Sequence, residues 1–436
     1  MLSITSIDRS AVKVKHIDYR IFSQPMVARL PLKNCEVCVI VPVRNEAKSL
    51  KNTLLALTNQ IDLIGRLLNK SRYEIIVLAN NCTDNSAEIA RRFARSQPDL
   101  MLHIVEMEIK GDRAHIGWVR KLLMDEACRR FKLIGRNGVI ISTDGDTRVS
   151  NTWIAATLSE IERGADAVGG RIITKSEETT SSQGGVSLTD SRERSKLNKA
   201  TRLYYLRHLR YGYLSAQLES YIDPYFESLP RHHHHYGASL AVTAQMYAKV
   251  GGLPPLRSSE DVALYEALKR VDARFRHSPQ VRVITSARSI GRAEAGLSAR
   301  LSQLSLMAQN NESVLVEPAE LIQTRYYLRR WLRYLWQRSY NNFRDEFATM
   351  AQKLDLNRDL LEETVLRSPT YGLLLERIKQ YQRGNQRLDR GYKLVTIQKA
   401  NADLEMAIDN IRERRSNMTL DALEQIEPIS LFPQPL

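Results

Sequence analysis

In GVIISTDGDTRVSNTW, residues 138–153, a run of β-branched apolar residues ends at two aspartates flanking one glycine. Val139, Ile140 and Ile141 need a buried setting, whereas Asp144 and Asp146 cannot enter a core unpaired. Carboxylates at this spacing can hold a divalent cation at the edge of a sheet, and they can equally be an ordinary solvated turn. A second acid pair, Glu260 and Asp261, opens the helical run EDVALYEALKR. It can supply a general base, or it can serve the helix start, since Ser258-x-x-Asp261 has the spacing of a capping box. Four consecutive histidines, His232 to His235, stand just before YGAS. Read as a strand, they alternate between faces and cannot all ligate one ion, so at most one or two would face a cleft, and the run can equally be a polar approach to a strand. His277, just before a strand, reads as a buried, hydrogen-bonded histidine, with metal ligation the alternative.

Regular elements must bring these groups together. CEVCVIVPVRNEAKSLKNTLLALTNQ, from Cys35, reads as a buried strand, a turn at Pro42 to Glu46, and a helix with Leu50, Leu54 and Leu57 on one face. YEIIVLANNCTDNSAEIARRFARS repeats the arrangement, and MLHIVEMEI, HIGWVRKLLMDEACRRF and GVIISTDGD continue it as strand, helix and strand. This alternation predicts an α/β fold with an open, mainly parallel sheet. Such sheets bind ligands beyond the carboxyl ends of their strands. Val43 to Glu46, Asn80 to Asp84 and Asp144 to Asp146 all fall at that edge. Neither G-x-G-x-x-G nor G-x-x-x-x-G-K-[ST] occurs, so the usual dinucleotide and P-loop cradles are missing. Residues 174–199, rich in Ser, Thr, Glu and Lys, read as a mobile loop. Beyond about Ala299 the pattern is helical to Met418.

With 436 residues, 43% hydrophobic and 26% charged, the chain suits a soluble globular protein. It has no apolar run of membrane-spanning length and no signal-peptide core at its start, which gives a cytoplasmic expectation, with the inner face of the membrane as a peripheral station. Four cysteines suggest a reducing compartment, and Cys35-x-x-Cys38 reads as packed thiols rather than a zinc or redox pair. A formal charge of +15 implies an anionic partner: nucleic acid, nucleotide phosphates or an acidic membrane. In RYYLRRWLRYLWQ, Leu328, Trp331, Leu332 and Leu335 form a stripe ringed by Arg329, Arg330, Arg333 and Arg338, and RLYYLRHLRYGYL is similar. That composition fits a helix at the headgroup layer, or a helix packed on the body of the protein. It also fits a basic nucleic-acid-binding protein, a reading that leaves the acidic and amide clusters unexplained.

The ordered set VIVPVRNEA, NNCTDNS, DGDT and GASLAVT…VGGLPP…SEDVAL resembles the inverting, metal-dependent glycosyltransferases of family 2, across residues 36–290. The resemblance implies a GT-A-like open sheet flanked by helices, here with a helical C-terminal extension. It implies a UDP- or GDP-sugar donor, Mn²⁺ or Mg²⁺, and a hydroxyl acceptor, with a lipid-linked acceptor and peripheral membrane contact left open and no nucleic acid expected. Asp146 is then the metal ligand, with Asp144 on the ribose or a metal-bound water. Pro42, Arg44, Asn45 and Glu46 face base and ribose. Asn81 and Asp84 match the second loop, although many relatives have an acid where Asn81 stands. Arg120 faces the donor. Arg288 and Arg292, in TSARSIGRAEAG, either close over the diphosphate or form an exposed basic turn. Asp261, or alternatively Glu260, is the base, and His234, His235 and Gly237 approach the acceptor. The layout is an extension at 1–35, a donor half at 36–172, an acceptor half at 173–299 with the mobile loop 174–199, and a helical region at 300–436. A retaining transferase or a nucleotidyltransferase on the same fold is the alternative enzyme.

Overall fold

The computed structural model describes residues 25–175, 188–224, 226–227, 229–286, 297–337, 344–385 and 391–416. Its centre is an eight-stranded sheet of β1 (Val37–Val43), β2 (Tyr73–Asn80), β3 (Met101–Met107), β4 (Val139–Ser142), β5 (Arg148–Val149), β6 (Ala167–Lys175), β7 (Leu240–Thr243) and β8 (Phe275–Ser286), in the order β3-β2-β1-β4-β7-β6-β8-β5. β1 pairs in parallel with β2 and β4, β2 with β3, and β6 with β8. β7 runs antiparallel between β4 and β6. This is the open, mainly parallel sheet that the resemblance implies.

Every residue of β1 and β2 is buried, because helices cover both faces. Successive side chains of β1 divide between the two cores. Val37, Val39, Val41 and Val43 pack with Leu50, Leu54 and Leu57 of α1 (Leu50–Thr58), Phe93 of α2 (Ser86–Arg95) and Trp153 of α4 (Trp153–Glu162). Cys38 and Ile40 pack with Leu123 and Phe131 of α3 (Ile116–Leu133), Tyr247 of α6 (Ala244–Lys249) and Leu264 of α7 (Glu260–Arg270). Cys35 and Cys38 are packed thiols as expected, and burial pushes Cys35 up to about 12 and Cys38 well above its ordinary value.

Helix α5 (Leu188–Ile222) begins inside the stretch read as a mobile loop, so residues 188–199 are helical rather than loop, while 176–187 lie outside the described residues. Its opening, LTDSRERSKLNKA, lacks an apolar stripe but is rich in Arg, Lys, Leu and Glu, which extend a helix readily. The C-terminal region comprises α8 (Leu297–Gln309), α9 (Ala319–Gln337), α10 (Arg344–Leu354), α11 (Arg358–Leu366), α12 (Tyr371–Asn385) and α13 (Ile397–Ser416). The helical expectation misses one feature, the antiparallel pair β9 (Leu315–Val316) and β10 (Val395–Thr396), which is too short to carry a periodicity.

The stripe of α9 is core, not a membrane face. Leu328, Trp331, Leu332 and Leu335 are buried against Phe347, Met350 and Leu374. The arginines around the stripe turn to the end of α5. Arg329 Nη1 donates to Glu219 Oε1 at 2.8 Å, Arg330 Nη1 to the Ile222 carbonyl at 3.2 Å, and Arg333 pairs with Asp223. They are thus drawn into internal contacts and do not form the open basic surface that nucleic acid would need. Arg338 lies outside the described residues. No described helix is long and apolar enough to cross a membrane. Trp331 is 2% exposed, so Trp331→Ala should destabilise the protein by roughly 3–5 kcal/mol in denaturant unfolding. A loss below about 1 kcal/mol would mean the stripe is not core.

Candidate functional site

Two loops leave the carboxyl edge of the sheet and fasten to each other. After β1, Asn45 takes a left-handed backbone (φ +56°), donates from Nδ2 to Thr83 Oγ1 at 3.1 Å and accepts the Thr83 N–H at 2.7 Å. Asp84 accepts the Ala47 N–H at 3.0 Å through Oδ2 and the Ser86 N–H at 3.0 Å through Oδ1. Asn81, also left-handed (φ +48°), donates to the Ile109 carbonyl at 3.0 Å and accepts the Ile109 N–H at 3.2 Å. Asparagine tolerates this conformation. The departure at Asn81 has a local reason, since an aspartate could accept from Ile109 but could not donate to it. Pro42 lies within β1 opposite Leu78, and Arg44 Nη1 donates to the Ala114 carbonyl at 3.4 Å. Glu46 is buried, its carboxylate accepting from Ser49 Oγ at 3.0 Å. Much of what was expected to face the donor therefore builds the loops.

Asp144 and Asp146 follow β4 directly, and both are partly exposed. A Cβ on Gly145 would come within 3.1 Å of Glu46 Cγ and Val43 Cγ2. Close approach to the first loop, rather than a left-handed turn, is what demands glycine there. Thr53 Oγ1 holds the Gly145 carbonyl at 3.0 Å.

Arg120 does not project freely at a donor. It is 3% exposed, and its guanidinium has three partners: Nε donates to Ser142 Oγ at 3.1 Å, Nη2 to Asp144 Oδ1 at 2.7 Å, and Nη1 to Glu260. Helix α3 thereby ties the loop after β4 to the start of α7. Gly237 lies against the same guanidinium, since a Cβ there would be 2.4 Å from Arg120 Cζ. Burial pushes the Asp144 carboxyl up to about 6, with Asp146 and Asp261 adding to the rise and Arg120 opposing it.

The two acids of Ser259-Glu260-Asp261 are assigned different tasks. Glu260 is 3% exposed and paired to Arg120. Asp261 is partly exposed, accepting the Gly237 N–H at 2.8 Å through Oδ2 and the Val262 N–H at 2.8 Å through Oδ1. The capping box does not form. Ser259 is the residue before the helix, its side chain makes no cap bond, and its backbone is left-handed (φ +60°). A serine held in that region is strained, and such strain collects at functional loops.

The histidine run is irregular chain rather than a strand, although burial still alternates along it. His232 Nδ1 accepts the His234 N–H at 3.0 Å, and His234 Nδ1 accepts the Ile172 N–H at 2.9 Å, so both rings are held as neutral acceptors. His234 is 8% exposed, while His235 stacks on Tyr265 at 4.0 Å. His277 is buried, with Nδ1 2.9 Å from Glu227 Oε2, which matches the hydrogen-bonded reading. Arg288 and Arg292 lie outside the described residues. Sequence reasoning missed Ser142, the polar residue closing a β-branched run, and Tyr236, the exposed aromatic between His235 and Gly237.

Two predictions follow from these contacts. Arg120→Met should destabilise by roughly 3–5 kcal/mol, because two carboxylates lose their cation. Arg120→Met with Glu260→Gln should lose less than the sum of the single losses, and additivity within about 0.5 kcal/mol would mean the pair is not coupled. The histidines give a pH dependence. Burial, reinforced by neighbouring histidines, lowers His232 and His233 to about 2 and His234 and His235 to about 4, from an ordinary 6.5. Below that ordinary value the unfolded chain binds more protons than the fold, so stability falls as pH falls, by up to about 1.4 kcal/mol per pH unit for each ring. Melting temperature should therefore hold above pH 7 and drop between 6.5 and 4, less steeply in His234→Asn. A flat melting temperature across that window would contradict a neutral cluster.

Residues 38–216 match the family model described as glycosyl transferase family 2. The glycosyltransferase AglE of Haloferax volcanii is 31% identical over 149 residues, which cover 34% of this chain and 41% of that protein. The chain thus spans less than half the length of that relative. Among solved structures, the mannosyltransferase PcManGT from Pyrobaculum calidifontis, in complex with GDP-Man and Mn²⁺, aligns over 91% of this chain and 80% of its own, at 15% identity and a TM-score of 0.40. S. aureus TarS 1–349 in complex with UDP-GlcNAc aligns over 88% and 93%, at 14% identity and a TM-score of 0.41. The family match ends within α5, so Gly237, Glu260 and Asp261 lie beyond it. Over residues 38–216, less than half of its length, this chain is thus similar to the glycosyl transferase family 2 model, and that stretch contains the parallel strands β1 to β4 described above.

Proposed function

We propose that this chain transfers a sugar from a nucleotide-diphosphate donor to a hydroxyl acceptor, inverting the anomeric carbon, with a divalent cation at Asp146. The observation that carries the reading is the Arg120 guanidinium. It joins the loop bearing Asp144 and Asp146 to the helix start bearing Glu260 and Asp261. Single displacement needs acids of two kinds at one cleft, one group to manage the leaving diphosphate and another to take the acceptor's proton. The family 2 domain and a relative named as a glycosyltransferase support the reaction class.

The side chains suit Mg²⁺ or Mn²⁺. Asp144 and Asp146 are hard oxygen donors, and Asp144 already spends one oxygen on Arg120. Among the described residues, no group of three or more His, Cys, Asp or Glu side chains could cage an ion by itself. A short donor set of this kind fits a cation that keeps sites for water and phosphate oxygens. Asp146 would hold it, with Asp144 ligating beside it or through a water, and the bound ion would neutralise charge on the departing diphosphate. Asp261 is the base in this reading. Two backbone N–H groups orient its carboxylate, and it is partly exposed, whereas Glu260 is buried and committed to Arg120. A carboxylate taking the hydroxyl proton in the transition state is worth roughly 10²–10⁴ in rate.

The test is release of nucleoside diphosphate from a panel of UDP- and GDP-sugars, beside thermal shift with the same ligands and Mn²⁺. Asp261→Asn should keep the thermal shift and lose turnover by roughly 10²–10⁴. Asp146→Ala should lose both, with its unliganded melting temperature unchanged. Full turnover in Asp146→Ala, or in both Asp261→Asn and Glu260→Gln, would overturn the reading.

A further inference from the structure

A column of rings leads outward to Tyr236, the residue before Gly237. Phe275 of β8 is buried and meets Tyr265 of α7 edge-on, with ring centres 4.7 Å apart. Tyr265 stacks face to face on His235 at 4.0 Å and 10°. His235 in turn meets Tyr236 at 5.0 Å, tilted by 37°. The column therefore runs from the core outward and stops at Tyr236, which is 40% exposed. The residue after Tyr236 is Gly237, whose N–H is held by Asp261 at 2.8 Å, so the outermost ring stands one residue from the carboxylate that serves as base. His235 is held neutral by burial, which lets its ring stack as an aromatic rather than repel as a cation.

An exposed ring braced from behind presents a fixed apolar face beside a proton acceptor. A pyranose offers the matching shape, with C–H groups on one face and hydroxyls around its rim. We infer that Tyr236 is the platform for the acceptor, and that the acceptor presents a pyranose ring whose C–H face lies on Tyr236 while a rim hydroxyl reaches Asp261. The inference rests on the proposed transfer reaction and names the chemical class of its acceptor. The specificity comes from the ring face, because Asp261 alone would accept a proton from any hydroxyl.

The experiment is saturation-transfer NMR on the full chain with methyl glycosides of glucose, galactose, mannose and N-acetylglucosamine, with nucleoside diphosphate and Mn²⁺ present. At least one glycoside should bind, with the strongest transfer to the protons of one ring face. Tyr236→Ala should weaken that binding about tenfold, the loss expected when one stacked ring is removed, and Tyr236→Phe should restore it. Both variants should keep the wild-type thermal shift with nucleoside diphosphate and Mn²⁺. Equal glycoside binding by wild type and Tyr236→Ala overturns the platform. If no glycoside binds while the nucleotide still raises the melting temperature, the acceptor is not a sugar and the inference falls alone. If no UDP- or GDP-ligand shifts the melting temperature either, the donor reading falls with it.

Discussion

A buried guanidinium cannot be left unpaired, and in this fold the groups that satisfy Arg120 come from both sides of the candidate cleft. Ser142 and Asp144 belong to β4 and the loop after it, whereas Glu260 opens α7. Arginine suits this place because its planar fork donates in several fixed directions at once, whereas a lysine ammonium would concentrate the charge at one point. Two further features depend on the same group. Gly237 must be small because the guanidinium fills the space its side chain would take. Glu260 is spent on Arg120, so of two adjacent acids only Asp261 keeps partial exposure. The strained Ser259 backbone sits where the chain must deliver Glu260 inward while Asp261 turns to Gly237.

A second charged network fastens α9 to the end of α5 and the start of the histidine run. Arg231, at the head of the histidine run, bridges Glu219 and Glu227. Arg329 of α9 shares Glu219 and approaches Asp223, and Arg333 also pairs with Asp223. These groups line a cavity of about 110 Å³ with Tyr265, His277 and Tyr371. Opposite charges hold Glu219 down to about 2 against the desolvation that would raise it, chiefly through Arg329 and Arg231. Buried pairs of this kind are weak sources of net stability, since desolvation offsets most of their attraction. What they supply is register. Leu and Trp side chains tolerate sliding, but an acid at Asp223 with 0% side-chain exposure fixes how α9 meets the end of α5. The histidine run, which leads from Arg231 to Gly237, is thereby anchored at both ends.

Much of the fold was legible because it rests on short-range patterns. A strand buried on both faces must be continuously apolar, as VCVIVPV and YEIIVLAN are, and a polar cluster after each strand marks the ligand edge. The acid pairs were legible for the same reason: carboxylates at element ends stand out against apolar runs. What was not legible is which partner each charge finds. Arg120 reads from sequence as a residue facing the donor, and Asn81 and Asp84 as donor contacts. Only three-dimensional neighbours assign the first to two carboxylates and the others to loop closure. The stripe of α9 fits a membrane surface and a helical core equally in one dimension, and the choice depends on α10 and α12 packing over it. Likewise, Ser258-x-x-Asp261 satisfies a capping pattern, yet the left-handed Ser259 turns the chain out of that geometry.

The chain carries +15, yet the Asp144 carboxyl is raised in part by the neighbouring acids Asp146 and Asp261. The two facts are compatible because net charge is summed over the whole chain, and basic residues such as Arg329 and Arg333 are taken up in the internal pairs described above. Local charge, not net charge, decides what a cleft admits. An anionic diphosphate approaching bare carboxylates is repelled, so under the proposed reading the donor and a divalent cation must bind as a unit, with the cation turning the acids from a barrier into an attraction. Arg120 adds one positive charge within the cluster but cannot perform that task, because its three partners already occupy it. Asn45, Asn81 and Asp84 fasten the loops after β1 and β2 through their own side chains. Under the proposed reading, selectivity rests on charge matching at Asp144 and Asp146 and on the acceptor that fits beside Asp261.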